Sequence, residues 1–324
     1  MKFPKKQLSK TTESNLLIFL FLQFVFVYGL MAQQEPDTAY TYNIKQSAYQ
    51  KGKGSVIFID EAHNNFHTKN GRFSPFSKLL EQDGYQVKSL TDSISKIDFI
   101  NKCKILVISN ALNTSNVTQW ILPTPSAFSK EEIEIIKRWV EDGGSLLLIA
   151  DHMPFAGAAY EFGKAFGFEF LNGFAYTKER SWPPSVFTLK DKTLRKSPII
   201  SDVKDYEKIN YVATFTGSAF KAPKGSIPVL SFLKEHYSLQ PDTAWSFNPK
   251  TPSQKLNGFH QGAILKFGKG RIAVFGEAAM FTAQIVNSNM KVGINSDDAP
   301  QNAQFVLNLI HWLDGVKEYC GTSK

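Results

Sequence analysis

Apolar segments and amphipathic segments alternate along the first half of the chain. Two segments, 73–83 and 129–142, carry apolar residues at helical spacing, and the second opens with Ser129 and Glu132 at the spacing of a capping box. Short segments rich in apolar and β-branched residues separate them and predict strands. These strand segments lie at 55–60, 85–90, 104–109 and 145–150. The alternation predicts a parallel sheet covered by helices on both faces.

The second half of the chain departs from this alternation. Residues 172–258 contain eight of the fifteen prolines and many aromatic residues, which predicts an insertion or cap packed on the core. Apolar strand patterns resume at 262–267 and 271–275, and Gly-Lys-Gly between them is typical of a hairpin turn. The segment 299–313 has the spacing of a closing amphipathic helix. We therefore expect an α/β protein with a doubly wound, mostly parallel sheet and a C-terminal hairpin plus helix.

The N-terminus has the pattern of an export signal. Four lysines among the first ten residues precede an apolar stretch from Leu16 to Ala32, and polar residues follow it. We expect cleavage near Ala32 and a periplasmic or extracellular protein, with a membrane anchor as the outcome if the segment is retained. The predicted organisation is then a signal peptide at 1–32, a leader at 33–54, a core at 55–171 and 259–316, and the insertion or cap at 172–258.

Charge and cysteine content narrow the function classes. The chain carries 37 Lys and Arg against 29 Asp and Glu, a net charge of +8, and removal of the signal lowers it to +5. The basic residues are scattered, so we expect no nucleic-acid partner. Cys103 lies in an apolar strand pattern and Cys320 lies near the C-terminus, and we expect both to be unpaired thiols.

Polar residues follow the predicted strands, where a doubly wound sheet binds its ligands. Carboxylates and imidazoles buried at such positions are costly unless they are paired or coordinated, so this edge of the sheet is the predicted site. The candidate catalytic residues are Glu61, Asp151, His152 and Glu277; the candidate substrate-binding residues are Asn64, Asn65, Asn110 and His260; the candidate metal ligands are His63 and His67.

Two of these candidates have structural alternatives. On a helix, His63 and His67 would share one face, as metal-binding histidine pairs do, but the two asparagines between them favour a turn. Asp151 is also a suitable N-cap for a following helix. A divalent metal is therefore one expectation for the site, and a hydrogen-bonded network without a metal is the other.

Five segments of the chain match the pattern of a known superfamily: 56–63, 73–84, 106–109, 143–152 and 271–277. On these segments the chain resembles the class I glutamine amidotransferase-like superfamily, and within it an exported bacterial group of unknown function. The resemblance implies a flavodoxin-like sheet. In amidotransferase members a nucleophilic cysteine follows the strand that corresponds to 146–150, but Asp151 and His152 stand there in this chain, so we expect no amidotransferase activity.

Two functions fit these residues. The first is a secreted hydrolase in which Glu277 or Asp151 activates water, either directly or through a divalent metal. Trp182 and Trp245 in the insertion are candidates for stacking on sugar rings, which makes a glycan-related substrate one expectation. The alternative is a non-catalytic domain of the cell envelope that binds a small molecule or glycan.

Overall fold

The computed structural model describes residues 34–94, 102–177, 185–200, 204–287 and 289–316. The predicted signal peptide, Trp182 and Cys320 lie outside the described residues. No helix in the described ranges is long and apolar enough to cross a membrane.

Strands dominate the described residues. The strands are β1 (Gln34–Pro36), β2 (Val56–Asp60), β3 (Gln86–Leu90), β4 (Ile105–Ser109), β5 (Ser145–Ile149), β6 (Glu169–Leu171), β7 (Phe174–Thr177), β8 (Ser185–Thr188), β9 (Tyr211–Thr214), β10 (Ala219–Lys221), β11 (Ile227–Ser231), β12 (His236–Leu239), β13 (Ser253–Lys255), β14 (His260–Phe267), β15 (Gly270–Phe275), β16 (Ala283–Val286) and β17 (Met290–Gly293). The α-helices are α1 (Ser74–Gln82), α2 (Lys130–Glu141), α3 (Phe155–Ala158), α4 (Tyr160–Ala165) and α5 (Asn302–Asp314).

A nine-stranded mixed sheet forms the centre of the fold. Its order is β3-β2-β4-β5-β15-β14-β10-β6, and β11 also pairs with β14. The strands from β3 to β15 in this order run parallel to one another. Every residue of β4 and β5 is buried, since apolar clusters cover both faces of the sheet. This burial explains why these strands are apolar throughout.

Several local predictions are confirmed. The predicted helix at 129–142 is α2, and Ser129 and Glu132 form the capping box: each side chain accepts a hydrogen bond from the backbone N–H of the other residue. The predicted hairpin is the antiparallel pair of β14 and β15, in which Gly262 lies opposite Phe275. Cys103 is buried and unpaired.

The prediction of a doubly wound, mostly parallel flavodoxin-like fold is wrong. Strand and helix stop alternating after β5, where the next two helices have four and six residues. Strands that pair antiparallel then occupy much of the chain up to Gly293. Antiparallel neighbours need only a short turn between them, so this part of the chain builds sheet without crossover helices. The result is a sheet-rich mixed fold with few helices.

The segment 172–258, which was expected as an insertion or cap, contributes to several sheets. Its strands β10 and β11 pair with β14 in the central sheet, β7 and β12 pair with each other, and β8 pairs with β9. The chain just before β10 passes over the carboxyl ends of β5 and β15. There the Ser218 hydroxyl donates to the Ala150 carbonyl (2.7 Å), and the Ser218 N–H donates to the Gly276 carbonyl (2.7 Å). The segment thus closes over the edge where the site was predicted.

The central sheet depends on complete burial of its apolar strands. Ile108 in β4 is 0% exposed, whereas Ile227 at the start of β11 is 39% exposed. We expect Ile108→Ala to lower the free energy of unfolding by about 2–5 kcal/mol, because it removes buried methyl groups and leaves a cavity. The matched control Ile227→Ala should change it by about 0.5 kcal/mol or less. Urea denaturation measures both, and equal costs would contradict this account of the sheet.

Candidate functional site

The carboxyl ends of β4, β5 and β15 meet through three predicted site residues. The Asp151 backbone N–H donates to Asn110 Oδ1 (2.9 Å). Asp151 Oδ1 accepts from the N–H of His152 (2.7 Å), and Asp151 Oδ2 accepts from the N–H of Ala278 (3.3 Å). Asn110 follows β4, Asp151 follows β5, and Glu277 follows β15, so the sheet edge brings all three together.

Glu277 is fully buried, and its carboxylate holds the turn that follows β15. Its Oε1 accepts from the N–H of Ala279 (2.9 Å), and its Oε2 accepts from the N–H of Met280 (2.8 Å). Burial raises the pKa of Glu277 well above its usual value, the nearby Asp151 charge raises it further, and the backbone N–H groups only partly oppose this. A carboxyl group that favours the protonated form and has no exposed surface is poorly suited to act as a general base.

His152 lies within a cluster of aromatic side chains beside these carboxylates. Its ring stacks on Phe174, with ring centres 4.4 Å apart, and meets the indole of Trp245 edge-on at 4.7 Å. The rings of Phe155 and Trp120 lie 5.8 and 6.0 Å away. We define the aromatic cluster as Phe66, Trp120, His152, Phe155, Phe174 and Trp245.

The hydrogen bonds of His152 fix its tautomer. Its Nδ1 lies 2.6 Å from the Met153 carbonyl oxygen, which can only accept, so Nδ1 carries the proton. Burial lowers the pKa of His152, and the Asp151 charge and the Met153 carbonyl do not fully offset that effect. The ring is therefore neutral near pH 7. Its Nε2 is an acceptor, and it has no hydrogen-bond partner among the described residues. The described residues do not fully enclose this atom.

Trp245 is held in an unusual backbone conformation. Its φ is +65°, in the left-handed region that bulky residues rarely adopt, and the side chain is 45% exposed. Its loop is joined to the loop after β4, because the Ala244 N–H donates to the Trp120 carbonyl (2.8 Å). Strain of this kind persists where surrounding contacts enforce it, and it is common at binding sites.

His63 belongs to a second buried group, on the β2 side of the edge. Its Nδ1 lies 2.8 Å from Asp60 Oδ2, and its Nε2 lies 3.3 Å from Glu132 Oε1. Burial by itself lowers the pKa of His63, but the hydrogen bonds and charges of the two carboxylates outweigh it, so the pKa is raised above 6.5. Through Glu132, this imidazole ties the loop after β2 to the capping box of α2.

His67 lies apart from His63, because the two rings pack on the two different apolar clusters that cover the faces of the central sheet. Its ring packs on Phe73, whereas the ring of His63 packs on Phe128. The left-handed backbone of Asn64, with φ of +47°, turns the chain between them, so they do not share a helical face. The described residues contain no group of three His, Cys, Asp or Glu side chains arranged to hold a metal ion.

The remaining predicted site residues engage the protein itself. Glu61 Oε1 accepts from the Lys69 N–H (2.7 Å) and the Ser89 hydroxyl (2.8 Å), on the β3 side of β2. The side chains of Asn64 and Asn65 hydrogen-bond to backbone groups in the loop after β2, at the end of β4 and in the loop after β4. His260 Nδ1 lies 3.0 Å from the Ser231 hydroxyl. These residues do not join the aromatic cluster.

Sequence reasoning missed most of the aromatic cluster and a neighbouring cation. Of its members, only His152 and Trp245 were singled out. Phe66 and Trp120 lie in loops that follow predicted strands, which is the signal that would have found them. Arg72 was also missed: its guanidinium carbon lies 3.9 Å from the centre of the Phe66 ring.

Comparisons with known proteins indicate the fold and no particular family. No protein-family model matches the chain, and no curated protein matches it. Among solved structures, the N-terminal domain of mmIFT52 is similar, with a TM-score of 0.55, 14% identity, and coverage of 80% of this chain and 97% of that chain.

Two bacterial proteins are also similar. A cytoplasmic protein from Salmonella typhimurium has a TM-score of 0.47 and 15% identity, over 80% of this chain and 98% of its own. A ThuA-like protein from Bacteroides uniformis has a TM-score of 0.42 and 13% identity, over 84% of this chain and 94% of its own. The similar structures thus include a ThuA-like protein, which belongs to a glutamine amidotransferase-like group, at low identity.

The buried group around His63 predicts a pH-dependent contribution to stability. Because the folded-state pKa lies above 6.5, this contribution is fully present below about pH 6.5 and is lost as the pH rises through the folded value. We expect the stability difference between the wild type and His63→Gln to be largest near pH 6 and to shrink towards pH 9. Thermal unfolding across this range measures it.

His260→Gln provides a control of opposite sign. Burial, and then the charge of Arg195, lower the pKa of His260, so its contribution falls as the pH decreases through 6.5. Parallel pH profiles for the two variants would contradict the account of His63.

Proposed function

We propose that this protein binds a small ring-shaped molecule, such as a sugar, at the aromatic cluster. The observation that carries the proposal is a neutral imidazole, His152, with a free acceptor at Nε2 among aromatic side chains. Such sites combine apolar contact area with a few fixed polar groups. The flat faces of Trp120 and Trp245 supply the area, and His152 Nε2 accepts a hydrogen bond from a ligand hydroxyl.

We also propose that the protein is exported and acts in the periplasm or outside the cell, as a member of an exported glutamine amidotransferase-like group of unknown function. The basic and apolar pattern of residues 1–32 supports export. The absence of a cysteine after β5 supports a role other than amidotransferase. A glycan of the cell envelope fits both this location and the aromatic cluster.

We predict that the hydrogen-bond acceptor of His152 and the indole ring of Trp245 contribute separately to the affinity for the ligand. His152→Phe keeps the ring that stacks on Phe174 but removes the acceptor, so affinity for a hydroxylated ligand should fall about threefold to tenfold. Trp245→Ala removes an exposed stacking face and should weaken binding about tenfold. Titration of a sugar panel, followed by tryptophan fluorescence and calorimetry, measures both effects.

Trp139→Ala is the matched control. Trp139 lies on α2, packs beside Gly144 and is outside the aromatic cluster, so its loss should leave affinity unchanged. Equal effects of Trp139→Ala and Trp245→Ala on the same ligand would overturn the assignment of the site.

Hydrolysis is the second candidate function, favoured by the protonation state of His152. A neutral imidazole, held by a hydrogen bond at Nδ1 and free at Nε2, is the form that removes a proton from water. In that case His152 is the general base, and Asp151 holds the loop that carries it. Glu277, which was expected to be a catalytic residue, then has a structural role and holds the turn after β15 through its hydrogen bonds.

The hydrolase candidate predicts different outcomes for neighbouring variants. On a panel of glycosides, esters and amides, His152→Phe should reduce kcat by about 10²- to 10⁴-fold, the usual contribution of a general base. Glu277→Gln should retain most of the turnover, because the group already favours its neutral form. A loss of turnover in a folded Glu277→Gln protein would instead identify Glu277 as the base. Absence of turnover by the wild type would leave binding as the function.

A further inference from the structure

Arg72 is a half-buried cation that forms an ion pair with none of the described carboxylates. Its guanidinium lies over the Phe66 ring, and its Nε is enclosed with no hydrogen-bond partner. Its side chain makes no ion pair or hydrogen bond with any other described residue. Burial lowers the pKa of Arg72, but a guanidinium starts so high that it stays charged at neutral pH.

Among the residues that the structure describes, no side chain next to Arg72 supplies a compensating negative charge. The neighbouring titratable side chain, His67, is itself neutral at pH 7, because burial and the positive charge of Arg72 lower its pKa to about 3. A charge that is partly removed from water costs free energy unless it is paired, and perturbed titratable groups of this kind are concentrated at functional sites. The stack on Phe66 keeps the guanidinium in place but satisfies none of its N–H donors.

Arg72 lies at one end of the aromatic cluster. Its stacking partner Phe66 has ring centres 5.5 Å from Phe155 and 5.6 Å from Trp120, and both of those rings lie beside His152. The Trp245 ring also contacts His152, with ring centres 4.7 Å apart. A ligand in contact with Phe66 and Trp120 would therefore lie beside an unpaired cation as well as the imidazole.

We infer that the ring-shaped ligand carries an anionic group, a carboxylate or a phosphate, that pairs with the guanidinium of Arg72. This inference rests on the proposed binding function and adds the charge of the ligand to it. The planar guanidinium presents parallel N–H donors that match two oxygens of either anion. The ligand class is then a sugar acid or a sugar phosphate rather than a neutral sugar.

The test compares three probes on the full chain: glucose, glucuronate and glucose 6-phosphate. Wild-type protein should bind at least one of the two charged probes about tenfold to a hundredfold more tightly than glucose, the range expected for charge-assisted hydrogen bonds. Whichever charged probe is preferred distinguishes a carboxylate from a phosphate. Calorimetry at low and at moderate salt provides the affinities, and the preference should weaken with added salt.

Variants of Arg72 separate this inference from a general effect of charge. Arg72→Gln should abolish the preference for charged probes over glucose. Arg72→Lys should recover only part of it, since an ammonium cannot form the two parallel bonds. Arg138→Gln, which removes one exposed positive charge from α2, is the matched control and should behave as the wild type.

The outcomes distinguish the two proposals. If glucose binds the wild type and the charged probes bind no better, or if their preference survives in Arg72→Gln, the inference is wrong and the proposed binding site stands. If none of the three probes binds at millimolar concentration, both are overturned. The unfolding midpoint of each variant confirms that the protein compared is folded, and removal of a half-buried unpaired charge should not lower it.

Discussion

The carboxyl ends of the central strands carry polar groups that are shut off from water, and Asp151 satisfies several of them at once. Its backbone N–H is bound by Asn110 after β4, and its carboxylate accepts from the N–H groups of His152 and Ala278. Three strand ends are therefore fixed relative to one another by one residue. His152 is the next residue along the chain, so the hydrogen bonds of Asp151 also orient the His152 ring. The other members of the aromatic cluster pack around that ring.

The fold could be predicted from the sequence only as far as local patterns determine it. The apolar segments at β2, β4 and β5 and the capping box of α2 are found where periodicity and capping residues place them. The pairing of β6, β10 and β11 is not a local property, because a short polar or aromatic strand has the same pattern whichever neighbour it joins. Parallel or antiparallel pairing is decided by contacts in space, and so the prediction of a mostly parallel sheet failed in the second half of the chain.

The meeting of polar residues at one edge of the sheet could be predicted from the sequence, but the aromatic side chains of the candidate site could not. The rule that ligands lie beyond the carboxyl ends of parallel strands leads to Asn110, Asp151 and Glu277, which do meet there. The aromatic side chains come from places far apart along the chain: the loops after β2, after β4 and before β13, and the starts of α3 and β7. No spacing within the sequence therefore relates them. The left-handed backbone of Trp245 is likewise a consequence of its tertiary contacts, and nothing in the local sequence indicates it.

Asp151 and Glu277 are better arranged to hold the edge than to carry out acid–base chemistry. Glycoside-cleaving carboxylate pairs act on opposite sides of a bound sugar, and each needs an oxygen directed at the substrate. In this protein, both carboxylate oxygens of Asp151 and both of Glu277 accept hydrogen bonds from backbone N–H groups instead. Burial raises the pKa of Glu277, and the nearby charge of Asp151 raises it further. The group left with a free acceptor is the neutral imidazole of His152, which lies among stacking side chains rather than beside a nucleophile. The carboxylates are thus engaged by backbone N–H groups, whereas the imidazole keeps an acceptor without a partner, and this difference is the physical reason for ranking binding above hydrolysis.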